Sequence, residues 1–213
     1  FQYTNNAWTQ LGSDIDGEVA GDESGSSVSL SSNGTIVAIG AGEHDSEKGH
    51  VRVYQYANNA WTQLGSDIDG EAAGDECGFS VSLNSDGTIV AIGAHKNDGT
   101  GNKAGHVRVF QYTNNAWTQL GSDIDGEAAG DESGSSVSLN GDGTVVAIGA
   151  RKNDGTDNTD SRRGHVRVYQ YANNSWSQLG SDIDGEAVGD NFGRSVSLSS
   201  DGSNVAIGAP DNN

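Results

Sequence analysis

One phrase returns along this chain and dictates what it can fold into. Asn-Asn-Ala-Trp-Thr-Gln-Leu-Gly-Ser-Asp-Ile-Asp-Gly-Glu begins at Asn5, recurs at Asn58 and Asn114, and returns as Asn-Asn-Ser-Trp-Ser-Gln at Asn173. A unit repeated at a near-constant period is one supersecondary element that buries its apolar faces against its own copies. The tryptophans Trp8, Trp61, Trp117 and Trp176 are 53, 56 and 59 residues apart. From each Trp to the Ala of the following Ile-Gly-Ala (Ala41, Ala94, Ala150, Ala209) the distance is constant, so the growth is confined to residues 42–48, 95–104 and 151–163. A segment that absorbs insertions between stretches of fixed length is an exposed connection between strands.

Within a unit the β-branched and aromatic residues fall in four short runs, Ser80 to Leu83, Thr88 to Gly93, His106 to Tyr112 and Trp117 to Leu120. They are bounded by Gly, Asn, Asp and Ser, which predicts four strands, A to D. Asn-Ser-Asp-Gly at Asn84 to Gly87 and Thr-Asn-Asn-Ala at Thr113 to Ala116 read as tight hairpins whose Asp or Asn supplies positive φ. Strand B is apolar on both faces, as a strand packed between two neighbours must be. The expectation is an all-β fold, a β-propeller built from tandem four-stranded antiparallel blades, with a β-solenoid of shorter coils as its rival. Residues 1–213 form a single repeat domain with units 1–22 (partial), 23–75, 76–131, 132–190 and 191–213 (partial). The terminal units are complementary halves, CD and AB. Either they join into a four-bladed ring, or further blades or another chain complete a larger one.

Eleven Lys and Arg stand against 30 Asp and Glu, a formal net charge of −19, which excludes nucleic acid and anionic membrane surfaces as partners. Strict register of the apolar positions excludes a disordered acidic chain. The sole cysteine, Cys77, stands where the other copies have Ser24, Ser133 and Phe192; it reads as a substituted serine, with no intramolecular disulfide. The longest apolar runs, around Ile36 to Ile39, are far too short to span a membrane. Phe1 falls inside a repeat without a signal-peptide pattern, so the chain reads as a mature product or a fragment.

Phe192-Gly193-Arg194-Ser195-Val196-Ser197 followed by Val205-Ala206-Ile207-Gly208-Ala209-Pro210 resembles the FG-GAP repeat, the blade motif of integrin α-chain propellers and of many secreted microbial propellers. Gly-His-Val-Arg-Val-Tyr at Gly49, with its equivalents at Gly105 and Gly164, is similar to that repeat's third strand. The resemblance implies an extracellular or cell-surface adhesion module. Only the last copy carries both Phe-Gly and Gly-Ala-Pro, and the A–B hairpins are shorter than the calcium-holding hairpins of the family. That family site is therefore not carried over.

An up-and-down blade puts the B–C loops and the D–A crossovers on one face. Acids crowd the crossovers, whereas Lys48, Lys96, Lys103, Arg151, Lys152, Arg162 and Arg163 lie in the B–C loops. Mutual compensation on a solvated rim is the favoured reading. The alternative is calcium held by Asp14, Asp16, Glu18, Asp67, Asp69, Glu71, Asp123, Asp125, Glu127, Asp182, Asp184 and Glu186, because Asp-x-Asp-Gly-Glu repeats the oxygen ligands that calcium requires. His50, His106 and His165 recur without a second nitrogen or sulfur ligand in the repeat, so a strand-start hydrogen bond is expected of them. The serines of Ser-Val-Ser form no nucleophile distinguishable from the repeated background, and the tryptophans are expected to pack between blades rather than stack on sugars. Asn33 and Asn173 head Asn-x-Ser/Thr sequons in turns and are glycosylation candidates. The function that follows is a non-catalytic extracellular structural or adhesive module that binds proteins, matrix polymers or its own copies. A calcium- or glycan-binding lectin-like propeller is the second reading.

Overall fold

The computed structural model describes residues 1–155 and 162–212. Part of the longest B–C loop, 151–163, lies outside the described residues. Three complete blades follow one another: β3 (Ser27–Leu30), β4 (Ile36–Ala41), β5 (His50–Ala57) and β6 (Ala60–Gln63); β8 (Ser80–Leu83), β9 (Ile89–Ala94), β10 (His106–Thr113) and β11 (Ala116–Gln119); β13 (Ser133–Leu139), β14 (Val145–Ala150), β15 (His165–Ala172) and β16 (Ser175–Gln178). In each, the strands pair antiparallel in sequence order. The two-stranded sheets β1 (Gln2–Thr4) with β2 (Ala7–Thr9), and β18 (Ser195–Leu198) with β19 (Val205–Gly208), flank them. These two remain separate sheets, so the two halves do not join into a fourth blade.

Each complete blade also carries a two-residue strand that the four-strand pattern misses: β7 (Ile68–Asp69), β12 (Ile124–Asp125) and, in the third blade, β17 (Ile183–Asp184). It pairs with the start of strand C, His106 opposite Asp125 and Val107 opposite Ile124. The crossover is therefore pinned rather than loose, and Ile68 and Ile124 are buried.

The core lies in the seams between blades. Val90, Ile92 and Ala94 of β9 pack with Ile36, Ala38, Val51 and Val53 of the preceding blade. Ile89 and Ala91, on the opposite face of the same strand, pack with Val137, Leu139, Val146 and Ile148 of the following one. That double burial is why strand B lacks a polar face. The first-strand serines hold the seams at their inner edge: Ser80 Oγ donates to Gly134 O (2.7 Å) and Ser82 Oγ accepts from Leu139 N (2.9 Å). Ser27 with Gly78 and Ser136 with Gly193 repeat the first bond; Ser29 with Leu83 and Ser138 with Leu198 repeat the second. The serines of Ser-Val-Ser thus join one blade to the next.

At the C–D turns both asparagines have positive φ, as expected; Asn114 is at 52° and Asn115 at 63°. The A–B turns differ from the expectation, because only the glycine is left-handed there, Gly87 at 76°. Asp86 instead accepts the Thr88 N–H (2.9 Å) through Oδ1, and Asn84 Oδ1 accepts the Ile89 N–H (3.0 Å). Side-chain carbonyl oxygens close the hairpin, so the Asp needs no unusual backbone.

Candidate functional site: the histidine–carboxylate seams

Where one crossover meets the next blade, the same four side chains assemble. In the second complete blade Arg108 reaches back across the seam and donates through Nη2 to the main-chain oxygen of Asp69 (2.7 Å), while its Nη1 lies 3.8 Å from Glu71 Oε1. The other oxygen of Glu71 faces His106 Nδ1 at 3.9 Å, and Asp123 Oδ2 approaches the same nitrogen at 3.9 Å. The third blade repeats this with Arg167 on Asp125 O (3.0 Å) and Glu127 (3.4 Å), and with His165 between Glu127 (3.7 Å) and Asp182 (4.0 Å). The first has Arg52 on Asp16 O (2.8 Å) and Glu18 (3.6 Å), with Asp67 at 3.9 Å from His50 Nδ1.

The strand alternation produces this arrangement. His106, Arg108 and Phe110 share the face of β10 that looks at the preceding blade, and Val107 and Val109 fill the other seam. Burial lowers the pKa of His50 and His106 below the ordinary imidazole value and takes His165 to about 4. Burial likewise raises the Glu127 carboxyl. The rings are therefore neutral at pH 7, with lone pairs available to a cation. The strand-start hydrogen bond expected of them is not what the structure shows for His50: its Nδ1 is fully buried and has no hydrogen-bond partner.

The twelve carboxylates nominated for calcium are distributed across the seams instead of gathered within one crossover. Asp14, Asp67, Asp123 and Asp182 each accept a hydrogen bond from the glutamine four residues earlier, at 2.6–2.8 Å. Asp69, Asp125 and Asp184 pair in short strands opposite the histidines. Asp16 and Glu186 offer main-chain oxygens to Arg52 and Arg163. Among the described residues, the groups of three potential ligands within 4.8 Å of one another are Glu18–His44–His50, Glu71–His106–Asp123, Glu127–His165–Asp182 and Glu43–Glu47–Glu76. Each histidine group combines residues from two successive units. A reading of one linear motif at a time does not find them; the spacing of Glu71 and His106 becomes meaningful only once the blades are stacked. His44 takes the position that asparagine holds in the other copies, where Asn97, Asn153 and Asn212 bond to Asp75, Asp131 and Asp190 as His44 does to Asp22.

Charge compensation on the rim goes further than expected. Glu76 pairs with Lys96, and Glu132 takes both Arg151 (2.8 Å) and Lys152 (2.6 Å) although each glutamate is buried. Burial pushes the Glu132 carboxyl up, and the hydrogen bonds from Lys152 and Arg151 outweigh it and hold the group below its ordinary value. Three of the four tryptophans pack between blades, Trp61, Trp117 and Trp176 donating through Nε1 to Leu11, Leu64 and Leu120 of the preceding unit, each at 2.8 Å, whereas Trp8 is exposed. Asn33 and Asn173 are both exposed. The concavities are open depressions of about 200–300 Å³, and among the described residues no helix is long and apolar enough to cross a membrane.

No protein-family model and no curated protein matches this chain. Among solved structures it is similar to a candidate 6-phosphogluconolactonase from Bacteroides uniformis, with a TM-score of 0.56 and 11% identity over 85% of this chain and 46% of that one. It is also similar, with a TM-score of 0.49 and 13% identity, to TolB from Acinetobacter baumannii, over 87% of this chain and 38% of that one. The chain thus spans less than half the length of either protein. At such identity the lactonase-type likeness concerns the fold alone, and it agrees with the stacked four-stranded sheets in assigning a β-propeller architecture.

Proposed function

We propose that this protein is a non-catalytic structural or adhesive module of the cell surface or extracellular space, binding other proteins, matrix polymers or copies of itself through a surface repeated from blade to blade. The observation that carries this reading is the recurrence of an exposed carboxylate, Glu18, Glu71 and Glu127, over a buried Arg–His pair at three successive seams. A catalyst concentrates its chemistry in one unique site, whereas identical surfaces at regular intervals favour multivalent contact, in which weak individual contacts sum to strong retention. The uncovered face of β3 supports self-association in particular. Val28 and Leu30 are 63% and 59% exposed, while the equivalent Leu83 and Leu139 are each 7% exposed under a preceding blade. A blade from a second copy has the shape and apolar side chains to cover that face.

Sedimentation velocity over a wide concentration range, together with retention on immobilised copies of the chain, tests this. Concentration-dependent assembly that Leu30→Lys weakens is the expected result. A monomer at every concentration with no retention would overturn the self-association reading.

A further inference from the structure

We propose that Glu18, His44 and His50 hold a divalent cation of the zinc class where the first crossover meets the first complete blade. One ligand atom from each lies within 4.8 Å of the other two. Zinc bonds to nitrogen and oxygen of about 2.0–2.2 Å put tetrahedral ligand atoms roughly 3.4 Å apart, so the site forms when the ligand atoms close by up to about 1.4 Å and the His44 ring turns to aim its lone pair at the ion. Glu18, whose side chain is 42% exposed, and His44, at 22%, have the freedom to supply it.

His50 is the fixed member. It is 1% exposed, and its Nδ1 is buried without a partner, a costly state for a polar atom that a metal ion at this point would relieve. His44 lies over it, the ring centroids 4.1 Å apart and the planes 29° from parallel, so His44 is the member that swings out of this stack to share an ion with His50. Asp22 Oδ2 sits 2.9 Å from His44 Nδ1; asparagine makes this bond in the other copies, and histidine here keeps it while adding Nε2 as an electron-pair donor. Arg52 Nη1 is 3.6 Å from one oxygen of Glu18, which leaves the second for a cation. Asp67 Oδ2 lies 3.9 Å from His50 Nδ1 but outside the group of three.

Two imidazoles with a carboxylate suit zinc, copper, nickel or iron and not calcium, which takes six to eight oxygens. The site belongs to this seam alone. The other two bring together only one nitrogen, in Glu71–His106–Asp123 and Glu127–His165–Asp182. His44 is presented by a turn in which Asp45, Ser46 and Glu47 are all left-handed, with φ of 48°, 60° and 63°.

Isothermal titration of the full chain with zinc chloride alone, at pH 7.5 in a non-chelating buffer, tests the assignment. One site of micromolar or tighter affinity is expected, weakened at least about tenfold by His44→Ala and by Glu18→Gln, and unchanged by Glu71→Gln in the next seam. Glu18 lies on the surface and His44 is partly exposed, and cooperative thermal melts of the metal-free variants establish that they fold. In the parent, saturating zinc raises the melting temperature, and His44→Ala loses that rise. Absence of saturable binding would overturn the proposal. So would equal weakening by Glu18→Gln and Glu71→Gln, which marks diffuse carboxylate binding, or an affinity unaffected by His44→Ala.

Discussion

Trp117 Nε1 donates a hydrogen bond to the carbonyl oxygen of Leu64, 2.8 Å away and 53 residues earlier in the chain. This bond crosses the outer part of a seam whose inner edge is held by serine, and the ring itself packs against the apolar cluster between the first two complete blades. It separates residues that share a sequence position but not an environment, because Trp8 in the first sheet is 69% exposed.

Trp117→Phe is expected to destabilise the fold by about 1 kcal/mol through the lost hydrogen bond, and Trp117→Ala by roughly 3–5 kcal/mol once the seam loses its filling. The same changes at Trp8 are expected to shift the urea midpoint little. Equal effects at the two sites would show that the seam does not hold Trp117 as described.

Gly93 permits the closest approach between blades. A Cβ there would lie 2.0 Å from the main-chain oxygen of Gly134 and 2.4 Å from Ser80 Oγ. Gly208, its equivalent in the last sheet, would meet only Ser195 Oγ at such a distance. Gly93→Ala should therefore cost at least about 2 kcal/mol, and Gly208→Ala clearly less. Chemical denaturation of the two variants checks the order, and a tolerated Gly93→Ala would contradict the seam geometry.

Acid should weaken the fold well before its carboxylates titrate. Burial takes His95 and His165 to about 4 and lowers His50 and His106. As pH falls below the ordinary imidazole value of 6.5, the unfolded chain takes up protons that these buried rings refuse, so stability drops. By pH 5 the loss is roughly 2 kcal/mol for each of His95 and His165. His44 opposes this weakly: Asp22 raises its pKa, so its contribution is present below 6.5 and is lost as pH rises through the folded value. The turn carboxylate of Asp201, held at about 2 by hydrogen bonds from Ser199 and Ser203, contributes above its ordinary value of 3.8 and fades only below it. Urea midpoints at pH 7 and pH 5 measure the balance, with the lower midpoint expected at pH 5.

Cys77 is fully buried, with its thiol pushed up to about 11 by burial and Arg108 Nη2 at 3.6 Å from Sγ. A thiol-specific disulfide reagent is expected to leave it untouched in the folded chain and to modify it fully in denaturant. Rapid reaction under native conditions would show that the seam beside it opens readily.

The blade was legible in the sequence because its determinants are local. Alternation in Ser-Val-Ser-Leu and the asparagine pairs of the C–D turns each reflect a strand or turn formed within a unit. The apolar seams were legible in strand B and the tryptophans, but the polar contacts across them were not, because they join residues one whole unit apart. Ser80 is shown to bridge blades only when Gly134 arrives beside it, and Glu71 joins a histidine site only through His106 of the next blade. The short strand at Ile124 left a faint trace, a single recurrent apolar residue within an acidic stretch, and it forms because strand C offers an unpaired edge there. His44 lacked even that trace, since the other copies carry asparagine at its position.

The most direct test of the central claim, that repeated blades stacked about one axis present a surface for association, is cryo-electron microscopy of the purified full chain. Assemblies of several chains are expected in which successive four-stranded blades fan around a shared axis, with the exposed face of β3 covered by a neighbouring copy. Discrete single-chain particles, or sheets strung out without a common axis, would contradict it.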